Sequence, residues 1–334
     1  MSIKEKINTF KEAFNGIFEE EVKAILKEQR DFHPTITELD EPLKDAVLNY
    51  TKGGKRIRPF LIHFFAEDYN EKELMQLCIA SELFHLAALI HDDMMDESEM
   101  RRGVPTIHIA SQQFAKENKH LGTDIGLLLG DVFLTAAIAK AAQLSPAVFE
   151  EFRLMIQRTI RGQYLDSFGM NQSLGKTPEF EILARHELKT AWYTFTSPAR
   201  LGYMNSQKCS DEYLEILTPI MQELGLLFQI RDDIIDCVDE TSGKDLFSDI
   251  FENQTTWVTL YVKENYPNKF KEILQAKESK DIELLKNIFA GIDLHNPYQT
   301  EFQKRRELIE NIDAEYFELQ EKTKKVLNLL VLEK

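Results

Sequence analysis

Two five-residue runs of the chain carry three aspartates each, at identical spacing. They read DDMMD, with Asp92, Asp93 and Asp96, and DDIID, with Asp232, Asp233 and Asp236. In a helix the first and last carboxylates of a run lie on one face about one turn apart, while the second points about 100° away. Like charges at this spacing destabilise a helix by roughly 0.2–0.5 kcal/mol. The pattern therefore favours a cation bound between them.

A hard divalent metal ion suits such paired aspartates. Mg²⁺ takes oxygen ligands, keeps several waters and is usually held by one or two carboxylates together with substrate phosphates. One run alone could be a solvated acidic helix end or the N-cap of the next segment. Two runs, which closely follow the apolar stretches LFHLAALI and LGLLFQI, predict a magnesium site for a phosphorylated substrate.

Basic residues that could bind such phosphates lie near both runs. The segment GGKRIRP places two glycines before a predicted helix start, with Lys55 and Arg58 three residues apart on one face. Backbone N–H groups and two positive side chains can converge there on an anion. Arg101 and Arg102 follow the first run, and Lys189 lies on the polar face of a later predicted helix. Taken singly, each cation could equally belong to an ordinary ion pair.

The elements that position these residues are predicted to be helices throughout. Apolar residues recur at three- to four-residue steps, the period of an amphipathic helix, and no segment shows sustained strand alternation. Breaks fall at glycine, proline and polar stretches, none long enough for a domain linker. The pattern predicts an all-α protein with helices at about 3–28, 41–51, 56–68, 71–94, 123–143, 146–168, 178–201, 211–237, 247–265, 279–290 and 299–329.

Composition and charge exclude several other classes of protein. The 334 residues are 43% hydrophobic with only 14 glycines and 10 prolines, which disfavours collagen-like, linker-rich and turn-dense all-β chains. A net charge of −16 without any basic run argues against a nucleic-acid partner. Three widely spaced cysteines, no continuous apolar N-terminal region and charges within the most apolar stretch predict a soluble, cytoplasmic protein without a transmembrane segment.

Together the motifs resemble the all-trans isoprenyl (polyprenyl) diphosphate synthase family, of the geranylgeranyl or long-chain type. The segments GGKRIRP, ELFHLAALIHDDMMDESEMRRG, LKTA, FQIRDDIID and GKDLFSD stand in the order of that family and cover nearly the whole chain. The resemblance implies a single polyprenyl synthetase domain over residues 1–334, an all-α bundle around a deep central cavity with the isoprenoid synthase fold. It also implies a homodimer, and two aspartate motifs facing each other across the cavity mouth.

The resemblance further assigns roles to single residues. The catalytic residues would be Asp92, Asp96, Asp232 and Lys189. A cluster of three Mg²⁺ per active site would be held directly by Asp92, Asp96 and Asp232, and supported by Asp93, Asp233 and Asp236. The allylic diphosphate would be bound by Arg101, Lys189, Thr190, Gln229 and Lys244. Isopentenyl diphosphate would be bound by Lys55, Arg58, His85 and Arg102.

The implied reaction is the head-to-tail condensation of isopentenyl diphosphate with an allylic diphosphate. Metal ions neutralise the allylic diphosphate and stabilise its departure, and the double bond of isopentenyl diphosphate attacks the allylic cation. A proton then passes to the released pyrophosphate, and the apolar cavity excludes water that would quench the cation.

One segment departs from the family pattern, which after the second aspartate run is roughly GKxxGxDxxxxKxT. This chain has Phe247 in place of the glycine and Gln254 in place of the lysine. The allylic diphosphate is thereby expected to lose one cation. Gln254→Lys is then expected to lower the KM for the allylic substrate more than the KM for isopentenyl diphosphate.

Three other functions remain compatible with parts of the pattern. A class I terpene cyclase shares the first aspartate motif, but its second metal motif mixes Asn, Ser or Thr, and Glu where this chain has DDIID. A non-catalytic subunit of a heteromeric synthase would be marked by loss of the aspartate motifs, and both are intact. A structural helical protein with acidic surface clusters would need no metal ion.

The helix before Asp92 is expected to set product length. Ala88, Ala87 and Phe84 lie four, five and eight positions before Asp92, and so at successive depths beside the growing chain. The alanines leave the upper level open, and Phe84 is either the floor or an ordinary core aromatic. The sequence predicts geranylgeranyl diphosphate as the main product, with longer chains as the close alternative and farnesyl diphosphate as a further one.

Overall fold

Helices build the chain almost throughout, as the apolar period predicts. The computed structural model describes residues 2–32, 37–115, 118–207, 209–238 and 246–332. The described residues are 79% helical, and they contain one sheet, a pair of two-residue strands. The predicted all-α class is confirmed.

The chain divides into two compact units, and each is described by itself. The first comprises Met1–Arg153 and Leu201–Lys208, and the second comprises Leu154–Arg200 and Cys209–Lys334. The prediction of one domain around a central cavity concerns both units together and stays a prediction.

The first unit is built on two long helices that pack against each other, α4 (Glu71–Met95) and α6 (Leu121–Ala141). Helix α4 begins after Asn70, whose side chain accepts hydrogen bonds from the backbone N–H groups of Lys72 (3.0 Å) and Glu73 (3.3 Å). The other elements are α1 (Ile3–Phe32), α2 (Thr37–Thr51), α3 (Ile57–Phe65), β1 (Met100–Arg101), β2 (Val104–Pro105) and α5 (Ile107–Gln112).

Two glycines of α6 accommodate side chains from the end of α4. A Cβ at Gly126 would lie 2.5 Å from the sulfur of Met94, and one at Gly130 would lie 2.0 Å from Nε2 of His91. A larger residue at either position would displace the Met94 or the His91 side chain, so these glycines leave room for side chains next to the first aspartate run.

Both long helices of the first unit are apolar enough to span a membrane, by length and composition alone. The most apolar window of α4 is 67% buried inside the protein, and that of α6 is 39% buried. The core helix of a soluble protein passes the same test. The absence of a transmembrane segment therefore stays a prediction.

The second unit is centred on α10 (Asp211–Val238), which carries the second aspartate run. Helix α10 packs mainly on a π-helical segment, His186–Thr196. Helices α7 (Pro146–Gly169) and α9 (Ser197–Met204) each have residues in both units. The other helices of the second unit are α8 (Glu179–Arg185), α11 (Ser248–Phe251), α12 (Trp257–Asn265), α13 (Pro267–Ser279), α14 (Ile282–Ala290), α15 (His295–Glu310) and α16 (Phe317–Leu327), with short 3₁₀ turns at Ala314–Tyr316 and Asn328–Leu330.

The predicted helix boundaries fail where a capping residue interrupts an apolar period. Thr256 caps α12 through a reciprocal bond with Thr259, so the predicted helix 247–265 is split in two. Asp281 caps α14, and Asp313 caps a 3₁₀ turn that breaks the predicted helix 299–329. The period also missed α5 and α13, because these helices are short or strongly polar.

Candidate active site

The first aspartate run ends helix α4, and its carboxylates differ in their surroundings. Asp92 and Asp93 lie in the last turn, and Asp96 closes it with a backbone N–H that donates to the carbonyl of Asp92 (2.9 Å). Asp92 and Asp96 are half-buried, whereas Asp93 is 1% exposed. The second carboxylate thus points into the protein, away from the other two, as helical geometry requires.

Two residues from other elements hold the buried carboxylate of Asp93. The hydroxyl of Tyr50, at the end of α2, donates to one oxygen (2.5 Å), and Nε of Arg101, in β1, donates to the other (2.6 Å). Burial and the charge of Asp93 raise the pKa of Tyr50, so that its hydroxyl stays protonated. The Arg101 guanidinium also lies 3.8 Å from Asp92. Asp93 is therefore a fixed anchor at the end of α4.

The glycine-rich loop before α3 is held by a buried arginine. Gly53 has φ +77°, a backbone conformation that strains other residues. A Cβ at Gly54 would lie 2.9 Å from Nη1 of Arg56, so the buried guanidinium would have to shift. Arg56 itself is left-handed, with φ +54°. Its guanidinium pairs with Glu82 of α4 (2.5 Å) and donates to Asn15 of α1 (2.9 Å). Arg56 thus ties the loop to two helices.

Three of the four residues expected to bind isopentenyl diphosphate come together beside this loop. Nη1 of Arg58 lies 3.2 Å from Nε2 of His85, and His85 and Arg102 line one small cavity. Burial, and then the charges of Arg58 and Arg102, hold the pKa of His85 well below its usual value. A neutral imidazole can accept the Arg58 hydrogen bond. The fourth residue, Lys55, is exposed on the loop.

In the second unit, the middle aspartate of the run is again buried and held by neutral donors. Asp233 is 1% exposed and accepts bonds from Nε2 of Gln229 (2.8 Å) and from the backbone N–H of Trp257 (3.1 Å). Gln229 in turn accepts from the hydroxyl of Thr190 (2.7 Å). Burial raises the pKa of Asp233, and its N–H donors oppose that shift. Asp232 is half-buried.

The last aspartate of the second run is also buried, at 4% exposure. Asp236 accepts a side-chain bond from Ser248 (2.7 Å) and a backbone bond from Phe247 (2.9 Å). Phe247, which replaces the family's glycine, has φ +62° and is fully buried against the ring of Phe289. Phe247 thus adopts a left-handed backbone, which favours glycine. Lys244 lies outside the described residues.

Lys189 and Thr190 lie in the π-helical segment, which is packed between two glycines. A Cβ at Gly162 of α7 would lie 2.5 Å from the backbone nitrogen of Lys189, and one at Gly225 of α10 would lie 2.5 Å from Cα of Ala191. The close approach of α7 brings the Lys189 ammonium into an ion pair with Asp166.

The comparisons with known proteins decide the family. A family model described as polyprenyl synthetase matches residues 40–292, which is most of the chain. The chain belongs to the polyprenyl synthetase family. It is accordingly a prenyl-transferring enzyme.

Relatives of this synthetase carry names that span different product lengths. The chain is 28% identical over 258 residues to the nonaprenyl diphosphate synthase of Mycobacterium tuberculosis, covering 75% of this chain and 73% of that protein. It is 28% identical over 281 residues to the geranylgeranyl diphosphate synthase of Saccharolobus solfataricus, covering 79% and 80%. A geranylgeranyl pyrophosphate synthase from Corynebacterium glutamicum, solved with isoprenyl diphosphate and magnesium, shares the fold with a TM-score of 0.74, at 22% identity over 94% of this chain and 98% of that chain.

The donor set of the synthetase fits a metal ion shared with a substrate. Within the described ranges, no three His, Cys, Asp or Glu side chains lie together closely enough to hold a metal ion. The half-buried carboxylates of Asp92, Asp96 and Asp232 are hard oxygen donors, the type that Mg²⁺ prefers. Because Mg²⁺ commonly uses one or two carboxylates and completes its shell with phosphate and water, Asp92 and Asp96 in the first unit, and separately Asp232 in the second, fit it without a closed cage.

The residues expected to set product length are placed differently along α4. Phe84 is 4% exposed and packs edge-on against Phe152, with ring centroids 6.4 Å apart. Ala87 is 1% exposed. Ala88 is half-buried, on the same helix face as Asp92. The role of all three in product length stays a prediction, but of the three only Ala88 shares the helix face of Asp92.

Sequence reasoning missed the residues that support the site in this synthetase. Tyr50 and Trp257 lie far in sequence from the aspartates that they hold, and buried Arg56 had no predicted role although it lies between Lys55 and Arg58. Asp166 and Arg185 carried no motif signal at all. Their contacts depend on packing between helices, which a single sequence does not reveal.

Proposed function

We propose that this synthetase catalyses the Mg²⁺-dependent head-to-tail condensation of isopentenyl diphosphate with an allylic diphosphate, giving an all-trans prenyl diphosphate. The observation that carries the proposal is the same arrangement at both aspartate runs. In each, a half-buried first aspartate, Asp92 or Asp232, adjoins a buried one whose oxygens accept hydrogen bonds from neighbouring elements. The buried member fixes the helix end, and the first member is placed for a cation.

The remaining residues have roles that follow from their charge and partners. Arg58, Arg102 and neutral His85 supply N–H donors for the diphosphate of isopentenyl diphosphate, with Lys55 at its exposed edge. Lys189, held by Asp166, and Thr190, held by Gln229, are oriented for the allylic diphosphate. Bound Mg²⁺ would neutralise that diphosphate and stabilise its departure. No residue acts as a nucleophile.

The product we propose is geranylgeranyl diphosphate, with longer chains as the close alternative and farnesyl diphosphate as a further one. Support comes from the small side chain of Ala88 on the face of α4 that carries Asp92. An alanine at this level leaves room beside the helix, where a bulky residue would stop the growing chain early.

We further propose a cytoplasmic homodimer with three Mg²⁺ per active site. The exposed apolar residues Leu127 and Leu128 of α6, 50% and 62% exposed, support a subunit interface on that helix. Three cysteines without a disulfide, two of them buried, suit a reducing compartment.

The test is incubation of the pure protein with labelled isopentenyl diphosphate, allylic primers of several lengths and Mg²⁺, followed by sizing of the products. We expect elongated prenyl diphosphates that disappear when EDTA is added and return with excess Mg²⁺. Asp45→Asn, an exposed aspartate on α2, serves as the matched control for the aspartate variants. Cyclic hydrocarbons would instead indicate a terpene cyclase, and activity only after adding a second subunit would indicate a heteromeric synthase.

A further inference from the structure

A buried arginine lies at the position where the second unit was expected to lack a cation. Arg185, the last residue of α8, is 5% exposed. Its guanidinium donates to the side-chain oxygen of Gln254 (2.5 Å) and to the carbonyl of Thr255 (2.7 Å), and Nε lies 3.4 Å from Asp166. Gln254 is the residue that replaces the family's lysine.

Gln254 is a neutral bridge between opposite charges. Its oxygen accepts from Arg185, and its nitrogen donates to Oδ1 of Asp166 (3.0 Å). The amide is buried, at 6% exposure, and both of its ends are paired. A lysine at 254 could still donate to Asp166, but its ammonium would face the Arg185 guanidinium in a buried site. Two like charges there would repel strongly, because little water screens them.

The same aspartate holds the lysine expected to bind substrate. Asp166 accepts from Gln254 through one oxygen and pairs with Lys189 through the other. Arg185 therefore influences Lys189 indirectly, because both cations interact with Asp166. The Arg185 side chain is 6% exposed and that of Lys189 is 27% exposed, so only the lysine lies near solvent and an incoming anion.

We infer that Arg185 is a positioning residue that takes over the positive charge of the missing lysine at 254, and that residues 185 and 254 form one interchangeable charge site. This inference rests on the proposed function, since its ligand is the allylic diphosphate. The cation expected at position 254 is instead supplied by α8. The interactions of Asp166 with Arg185 and Lys189 orient the Lys189 ammonium, and the three side chains together carry a net positive charge. The expectation that Gln254→Lys improves allylic binding is thereby reversed.

The test is a double-mutant cycle with four proteins: wild type, Arg185→Met, Gln254→Lys and the double variant. KM for the allylic diphosphate, KM for isopentenyl diphosphate, kcat and the thermal midpoint are measured for each. Arg185→Lys is the conservative variant, and Arg306→Met, an exposed arginine paired with Glu310, is the matched control.

We expect each single variant to raise the allylic KM by about tenfold or more, with the isopentenyl KM within about twofold of wild type. The allylic KM of the double variant should return to within about threefold of wild type, because this variant restores one cation and removes the repulsion. A tenfold change in KM for one single variant corresponds to about 1.4 kcal/mol. Arg185→Lys should raise the allylic KM less than Arg185→Met does, and Arg306→Met should leave it unchanged.

Additive losses in the double variant, or equal changes in both KM values, would overturn the inference. If Arg185→Met does not fold, the thermal midpoints test the inference. The double variant must then fold and have a higher midpoint than Arg185→Met. If it does not, positions 185 and 254 are not interchangeable. Wild-type condensation in the same assay separates this result from the proposed function. If wild type is inactive, the proposed function fails, while the midpoints still report whether the two positions are coupled.

Discussion

The hydroxyl of Tyr50 donates a 2.5 Å hydrogen bond to the carboxylate of Asp93, which lies 43 residues further along the chain. Both residues are 1% exposed. The bond joins the end of α2 to the end of α4, where Asp92 projects. The direction in which the Asp92 carboxylate points therefore depends on a tyrosine of another helix.

Removing that hydroxyl should destabilise the protein. Tyr50→Phe keeps the ring in place but leaves one oxygen of buried Asp93 without its donor, which costs about 1–3 kcal/mol. Denaturant unfolding should show this loss, with a smaller fall in kcat. Tyr164→Phe, at an exposed position on α7, is the control. Equal unfolding free energies for wild type and Tyr50→Phe would contradict the anchoring role.

Neighbouring aspartates of the first run should separate activity from stability. Asp92→Asn should lower kcat by several orders of magnitude at saturating Mg²⁺ while the thermal midpoint stays near that of wild type. Asp93→Asn removes the charge that Arg101 pairs with in a buried site, so it should lower the midpoint markedly. Turnover of Asp92→Asn within tenfold of wild type would remove Asp92 from the metal site.

The sequence was informative where a local period or motif determines structure. Helices α4 and α10 and the divergence of Asp93 from Asp92 follow from spacing alone. What it could not provide is the set of partners brought by packing, such as Tyr50 for Asp93 or Arg185 for Gln254. Those contacts join residues 43 and 69 positions apart, and the residue types alone do not predict them.

Product length should respond differently to two adjacent alanines of α4. Ala88→Phe adds a ring on the face that carries Asp92, so it should shorten the main product. Ala87 is buried, and Ala87→Phe should mainly lower the thermal midpoint by overpacking. Chromatographic sizing of the products and thermal unfolding test both variants. Unchanged products for Ala88→Phe would place the growing chain beside another helix.

The neutral state of His85 should make the protein less stable in acid. Its pKa is held below the usual value, so below about pH 6.5 the unfolded chain binds a proton that the folded protein does not. The free energy of unfolding should then fall as the pH falls, by up to about 1.4 kcal/mol per pH unit from this group. His85→Gln should lose that part of the acid sensitivity between pH 7 and pH 5.5, and His120→Gln, at an exposed position, is the control. Parallel pH profiles for wild type and His85→Gln would contradict a neutral His85.

The central claim is tested most directly by mass spectrometry of the products formed from isopentenyl diphosphate and farnesyl diphosphate with Mg²⁺, alongside a pyrophosphate assay. The account predicts a linear prenyl diphosphate longer by one five-carbon unit, geranylgeranyl diphosphate, with one pyrophosphate released for each unit added. It also predicts that Asp92→Asn and Asp232→Asn form none at a comparable rate. Release of pyrophosphate without any elongated product, or full activity after removal of all divalent metal, would contradict it.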